Sequence, residues 1–204
     1  MIGIINYGMG NLASVKSALD YLGIESKIID KPSELEKIDK IILPGVGAFG
    51  MAMDNLNKSG FSSVIKESVS VKQKPILGIC LGMQLLLESS TEHGHHEGLG
   101  IIEGHVKMFN KDQIRIPIPH MGWNNVISKN IHNTLYNNND ITATYYFVHS
   151  YYCNIKDSST VSGITEYGIS FHSSLEKDNI FGCQFHPEKS QKSGLNIFKN
   201  FNHI

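Results

Sequence analysis

The chain has 204 residues, 41% hydrophobic and 18% charged. That size favours one large domain over two small ones, with enough buried surface to hold a core without disulfides or metals. Lys and Arg number 18 against 19 Asp and Glu, a formal charge of -1, so there is no net basic field to gather nucleic acid or an anionic membrane. Cys80, Cys153 and Cys183 lie far apart with no C-x-x-C pair, which argues against a disulfide framework or zinc ribbon and for a reducing compartment. The opening Met1-Ile2-Gly3-Ile4-Ile5 lacks a basic flank and is too short for a signal peptide. No apolar run approaches the ~20 residues of a membrane helix, and a soluble cytoplasmic protein is expected.

The first half alternates strand and helix. Residues 2–6 read as a buried strand ended by glycines. Residues 11–22 carry Leu12, Val15, Ala18, Leu19 and Leu22 at helical spacing, with Gly23 as a stop. Strands are expected at 26–30 and 40–43, helices at 48–58 and 61–70, and a further strand at 75–79 running into a helix at 83–89. This repeated order implies a parallel sheet with helices on both faces. From His105 onward, apolar runs at 106–108, 124–127, 142–152, 161–166, 168–173 and 179–185 are divided by polar turns, which suggests antiparallel additions. Residues 194–201 read as a closing helix. The expected fold is a single α/β domain over residues 1–204, its mostly parallel central sheet extended by antiparallel strands.

The sharpest local signal is Gly78-Ile79-Cys80-Leu81-Gly82, a G-x-nucleophile-x-G elbow with cysteine in the centre. A turn tight enough to present that side chain leaves no room for Cβ atoms two residues to either side. The N-terminus of a following helix favours the anionic, reactive form of a thiol. A buried structural cysteine is the alternative. A cysteine nucleophile needs a base, and the base needs an orienting group. His186-Pro187-Glu188, directly after an expected strand, supplies both types, and the carboxylate can hold the imidazole in one tautomer.

Residues 78–86 (GICLGMQLL) and 184–190 (QFHPEKS) together resemble the class I, or triad-type, glutamine amidotransferase family. Residues 44–49 (PGVGAF), 120–124 (HMGWN) and 146–151 (YFVHSY) narrow the likeness to its histidine-biosynthesis branch, whose members feed a (β/α)8 cyclase. The likeness runs from Asn6-Tyr7-Gly8 to the closing helix. It implies that Cys80 attacks the side-chain amide of glutamine, that His186 protonates the departing ammonia and that Glu188 orients His186. It further implies oxyanion donors from the backbone at Leu81 and from Gly45, Val46 and Gly47. Gln84, Glu92, Ser150 and Tyr151 would surround the bound glutamine, and Asn11, Trp123 and Lys189 would face the cyclase in a heterodimer. No cofactor or metal is implied. In the turn expected at 103–106, Glu103-Gly104-His105-Val106 departs from the small or basic residues of that branch, which leaves open a paralogue serving surface-sugar amidination.

Other readings compete. Gly8-Met9-Gly10-Asn11-Leu12-Ala13, with Asp30 about 20 residues on, fits the dinucleotide-binding pattern but accounts for none of the downstream motifs. Glu92-His93-Gly94-His95-His96-Glu97 invites a metal, although zinc ligands usually converge from more than one segment. Trp123 could instead be a core residue. A stand-alone thiol hydrolase and a non-catalytic binding module of the same fold complete the alternatives.

Overall fold

The computed structural model describes residues 1–110, 115–129 and 133–204. The first half contains β1 (Ile2–Ile5), α1 (Leu12–Tyr21), β2 (Ser26–Ile29), β3 (Lys40–Leu43), α2 (Phe49–Ser59), α3 (Phe61–Ser70), β4 (Ile76–Ile79) and α4 (Leu81–Leu85). Then come β5 (Leu87–Ser90), β6 (His96–Glu97), β7 (Ile102–Met108), β8 (His120–Ser128), β9 (Thr142–His149) and β10 (Tyr151–Ile155). The chain closes with β11 (Val161–Glu166), β12 (Ser170–Lys177), β13 (Ile180–Cys183) and α5 (Gln191–His203). No described helix is long and apolar enough to cross a membrane.

All these strands join one sheet, whose main path is β2-β1-β3-β4-β13-β12-β10-β7-β5-β6. The run from β2 to β13 is parallel throughout, and the strands beyond it are mainly antiparallel. Strands β11, β8 and β9 branch from β12 as a further antiparallel layer. Alternate residues of the parallel strands feed two cores. Ile5, Ile41, Leu43 and Ile76 pack with Phe49, Leu56, Phe61 and Ile65 of α2 and α3. Ile2, Ile4, Ile42, Leu77 and Ile79 pack with Val15 and Leu19 of α1, with Ile197, Phe198 and Phe201 of α5, and with the aromatics of β9. This is the helix-on-both-faces arrangement that the alternating first half implies.

Four expectations need correction. The helix expected at 83–89 begins at Leu81 and ends at Leu85, and Leu87–Ser90 is a strand. The backbone N–H groups of Gly98, Leu99, Gly100 and Ile101 bond to the carbonyls of Glu88, Leu85, Leu87 and Leu86, so those acceptors are taken by another segment. A Cβ at position 98 would lie 2.1 Å from the Leu87 carbonyl oxygen, so glycine alone permits that approach. Second, the run 142–152 is two strands, because the chain changes partners at Ser150, from β8 to β7 and β12. Third, β13 is not an antiparallel addition on both sides. It inserts beside β4 in parallel and meets β12 antiparallel, and this insertion brings residues 184–188 to the tip of β4. The segment 103–106, expected as a turn, belongs to β7, where Glu103 pairs with Lys156.

Candidate active site

The carboxyl ends of β1, β3, β4 and β13 converge, which is where open parallel sheets place their ligands. At the tip of β4, Cys80 has φ 53° and ψ -109°, a conformation that costs an L-residue about 1–3 kcal/mol and that clusters at functional sites. The flanking glycines explain how it is held. A Cβ at position 78 would sit 2.7 Å from the Gly82 carbonyl oxygen and the Met83 backbone, and one at position 82 would sit 1.8 Å from the Leu43 carbonyl oxygen. The Cys80 N–H donates to the Cys183 carbonyl at 2.8 Å, and the Cys80 carbonyl accepts from Met83 and Gln84 to start α4. The helix is only five residues long, so it aims fewer peptide dipoles at the sulfur than a helix through residue 89 would. A side chain compensates: Gln184 Nε2 donates to Cys80 Sγ at 3.6 Å.

His186 and Glu188 reach this thiol from the end of β13. The His186 N–H donates to the Tyr146 carbonyl at 2.9 Å, and Ser190 Oγ donates to the His186 carbonyl at 2.6 Å, so the backbone is fixed on both sides. Glu188 sits in a short helical turn begun by Pro187, and its Oε1 lies 2.8 Å from His186 Nδ1, both side chains buried. His186 Nε2 is buried without a hydrogen bond of ordinary geometry, yet the Cys80 thiol still acts on the ring. Burial, the largest single influence, pulls the imidazole pKa down. Hydrogen bonding and charge from Cys80 and Glu188 outweigh it and push the pKa up to about 10.

A cleft of about 630 Å³ opens over the sulfur, and it is lined by Cys80, His186, Val46, Gly47, Leu81, Gln84, Glu92, Ser150 and Tyr151 among others. Most of the residues expected around a bound glutamine are therefore brought together. Gly45 is not on the cleft wall. It packs beneath, where a Cβ would lie 2.6 Å from the Tyr7 hydroxyl and 2.9 Å from Leu81 Cβ. Tyr7 OH donates to the Pro44 carbonyl at 2.9 Å and so anchors one end of the Gly45-Val46-Gly47 stretch, while Val46 is exposed and Gly47 has φ +104°. Glu92 has a structural task as well. Its Oε2 accepts from the Phe49 N–H at 2.7 Å, capping α2, whose own N-cap Ala48 has no side chain able to do so. Tyr151 feels burial first and the Glu92 charge second, and both raise its phenol pKa.

Asn11, Trp123 and Lys189 lie away from the cleft wall. Asn11 Oδ1 accepts from the Ser14 N–H and caps α1. Trp123 is not a core residue: it is 50% exposed and stands edge-on to Tyr146, over which Lys189 Nζ also lies, 5.5 Å from the ring centre. The competing motifs have local explanations. Asp30 accepts from Asn6 Nδ2 at 2.7 Å, and His95 pairs with Glu97. Among the described residues no group of His, Cys, Asp and Glu side chains could hold a metal ion. Sequence reasoning missed Tyr7, His120, His149 and Gln184 as site-building residues. Gln184, His120 and His149 were visible inside the family motifs, but their polar partners lie far away in sequence.

A thiol at a strand-to-helix elbow, an imidazole held by a carboxylate and a cleft over thiol and ring make up the arrangement that cysteine-triad amide hydrolases use. The family model for "Glutamine amidotransferase class-I" matches residues 3–204, and the chain belongs to that family. Imidazole glycerol phosphate synthase subunit HisH 1 of Campylobacter jejuni is 50% identical over 202 residues, covering 98% of both chains. The HisH subunit of Sulfurimonas denitrificans is 48% identical over 203 residues, covering 98% of this chain and 97% of its own. Among solved structures, PurLQS from Thermotoga maritima aligns with TM-score 0.77 at 19% identity over 99% of this chain and 97% of that one. A glutamine amidotransferase aligns at 0.76 and 18% identity over 100% of this chain and 99% of that one. These two likenesses bear on the fold.

Two outcomes are expected. Gly82→Ala should lower the stability to urea by about 3 kcal/mol or more. Gly100→Ala, where a Cβ meets nothing within 4 Å but φ is +62°, should cost only about 1–2 kcal/mol; equal losses would contradict the close approach at Leu43. Because the folded pKa of His186 is raised, its protonated form adds stability that is complete below its ordinary value of ~6.5. That stability is lost as pH rises through about 10. In Cys80→Ala one of the two raising partners is gone while burial remains, so an NMR titration should find the His186 pKa well below that of the parent.

Proposed function

We propose that this chain is the glutaminase subunit of an imidazole glycerol phosphate synthase, acting in the cytoplasm as one amidotransferase unit over residues 1–204. It hydrolyses L-glutamine to glutamate and ammonia and passes the ammonia to a (β/α)8 cyclase. With it, the cyclase makes imidazole glycerol phosphate and aminoimidazole carboxamide ribotide in histidine biosynthesis. The observation that carries the reading is the meeting of Cys80 and His186 at one cleft, with Glu188 Oε1 behind the ring, 2.8 Å from His186 Nδ1. Relatives about 50% identical over nearly the full length support the pathway.

The chemistry follows from the geometry. The Cys80 sulfur attacks the δ-carbonyl carbon of glutamine, forming a C–S bond and a tetrahedral oxyanion. Backbone N–H groups at Leu81 and along Gly45-Val46-Gly47 stabilise that charge, an effect worth ~10²–10³ in rate for a single donor. The C–N bond then breaks as the protonated His186 gives its proton to the leaving nitrogen. Water, deprotonated by His186, attacks the thioester; glutamate leaves and the thiol returns, so one water is consumed for each ammonia released. Glu188 orients the imidazole through Nδ1 throughout. Gln84, Glu92, Ser150 and Tyr151 surround the substrate.

Ammonia released into water near neutral pH is protonated and loses its nucleophilicity, so a docked acceptor is needed. Exposed apolar side chains supply a docking face: Met121, Trp123, Val46 and Met108 are 61%, 50%, 43% and 45% exposed. Such a grouping marks a binding surface. Trp123 and Lys189 flank Tyr146, and Asn11 caps the start of α1.

In a glutamate-release assay with a histidine-pathway cyclase and its nucleotide ligand, Cys80→Ala should lose at least ~10³-fold in kcat. Glu188→Gln should lose at least ~10²-fold, and Trp123→Ala should weaken association with the cyclase by more than about 1 kcal/mol in calorimetry. Robust turnover by Cys80→Ala would remove the mechanism. Full activity without any cyclase would favour a stand-alone hydrolase.

A further inference from the structure

In the pairing of β8 with β9, His120 lies directly opposite His149, and His120 Nδ1 is 2.9 Å from His149 Nε2. Both rings are buried, 2% and 6% exposed. The direction of the proton between them follows from their other contacts. His149 Nδ1 lies 2.8 Å from the Tyr151 carbonyl oxygen, which can only accept, so Nδ1 carries the hydrogen. Burial pulls the His149 pKa down to about 3 against the opposing effect of that hydrogen bond, and the ring is neutral. Its Nε2 is then an acceptor, and His120 Nδ1 must donate to it. Burial also lowers the His120 pKa to about 4, which leaves His120 Nε2 as an acceptor. Asn124 Nδ2 stands 3.2 Å from that nitrogen and 2.9 Å from the Glu166 carbonyl, while Asn124 Oδ1 takes the Asn125 N–H at 2.7 Å. Every contact agrees with one orientation.

The relay does not stop at Tyr151. Its carbonyl also accepts from Gln84 Nε2 at 3.0 Å, and the same nitrogen donates to Gln184 Oε1 at 3.0 Å. That amide contact turns Gln184 so that its own N–H faces the Cys80 sulfur. At the other end, His120 is held between Tyr167 and Phe147, with ring centres 3.9 Å and 4.6 Å away, so it follows β8 rather than flipping independently. The next side chains along β8 on its outer side are the exposed Met121 and Trp123.

We propose that His120 and His149 are positioning residues for amide cleavage, donating in series to the Tyr151 carbonyl, where Gln84 also donates, so that the placement of β8 is carried through Gln84 and Gln184 to the Cys80 sulfur. A partner pressing on Met121 and Trp123 acts on the substrate pocket and the nucleophile through this relay. The inference rests on the reading of Cys80 as nucleophile, while the proton positions stand apart from it.

The test uses the full chain, alone and with a (β/α)8 cyclase. Imidazole 1H–15N correlation spectra of the free protein should show both His120 and His149 as neutral rings protonated at Nδ1. His120→Phe keeps a flat ring between Tyr167 and Phe147 but removes the donor. It should raise KM for glutamine about 5- to 10-fold with a smaller change in kcat, as expected for loss of one buried hydrogen bond, and should change the rate of Cys80 alkylation by iodoacetamide several-fold. His120→Asn, whose amide N–H falls near the position of Nδ1, should return both quantities to within about twofold of the parent. Either ring protonated at Nε2, or equal losses in His120→Phe and His120→Asn, would overturn the relay. If His120→Phe does not fold, the tautomers and the His120→Asn kinetics decide. Glutamine turnover surviving in Cys80→Ala would instead strike the nucleophile reading, and the tautomers and alkylation rates would still judge the relay.

Discussion

A side chain at position 82 would place its Cβ 1.8 Å from the carbonyl oxygen of Leu43, and the arrangement around the cleft follows from the contact that glycine permits there. With Gly78 also crowded, a Cβ there lying 2.7 Å from the Met83 backbone, the turn between β4 and α4 is tightly constrained, and Cys80 takes a positive φ at its apex. The same contact draws β3 against α4. The Gly45-Val46-Gly47 stretch therefore crosses directly above Leu81, with Tyr7 holding the Pro44 carbonyl from below. The strained backbone at Cys80 and the closeness of the Gly45-Val46-Gly47 stretch thus have one steric origin.

Charge is organised around that apex by burial. His186 is enclosed, and enclosure alone would favour its neutral form, but its interactions with Cys80 and Glu188 reverse the preference. His149 is enclosed with only a carbonyl and another imidazole as partners, and it stays neutral. Two histidines at the same cleft are thereby kept in opposite states by what lies across from each ring. Such a division is familiar from sites where neighbouring groups are pushed apart in pKa.

Much of this was legible in the sequence wherever the signal was local. The elbow glycines, the apolar strands around them and the helical spacing of α1, α2 and α3 all report short-range sterics and periodicity. The histidine and glutamate were legible as a pair because only Pro187 separates them. The strand β5 was not, since Leu81 to Leu87 has helical spacing and only the distant Gly98-Leu99-Gly100 segment diverts its carbonyls. Glu92 read as a pocket residue, and its capping of α2 depends on Ala48 having no oxygen to offer, 43 residues away from the point of view of Phe49 and its acceptor. The tie between Gln184 and Cys80 is equally remote in sequence. Polar contacts between residues this far apart leave no period and no spacing to detect.

The insertion of β13 between β4 and β12 has a consequence for the order of events during biosynthesis. Gln184 and Cys80 are 104 positions apart, and His186 and Glu188 follow later still, so a growing polypeptide carries its thiol long before it owns a base. A polypeptide ending short of those residues leaves one edge of β4 unpaired and has Cys80 without Gln184, His186 or Glu188 beside it. The strand that completes the sheet is thus also the one that delivers His186 and Glu188 to the tip of β4.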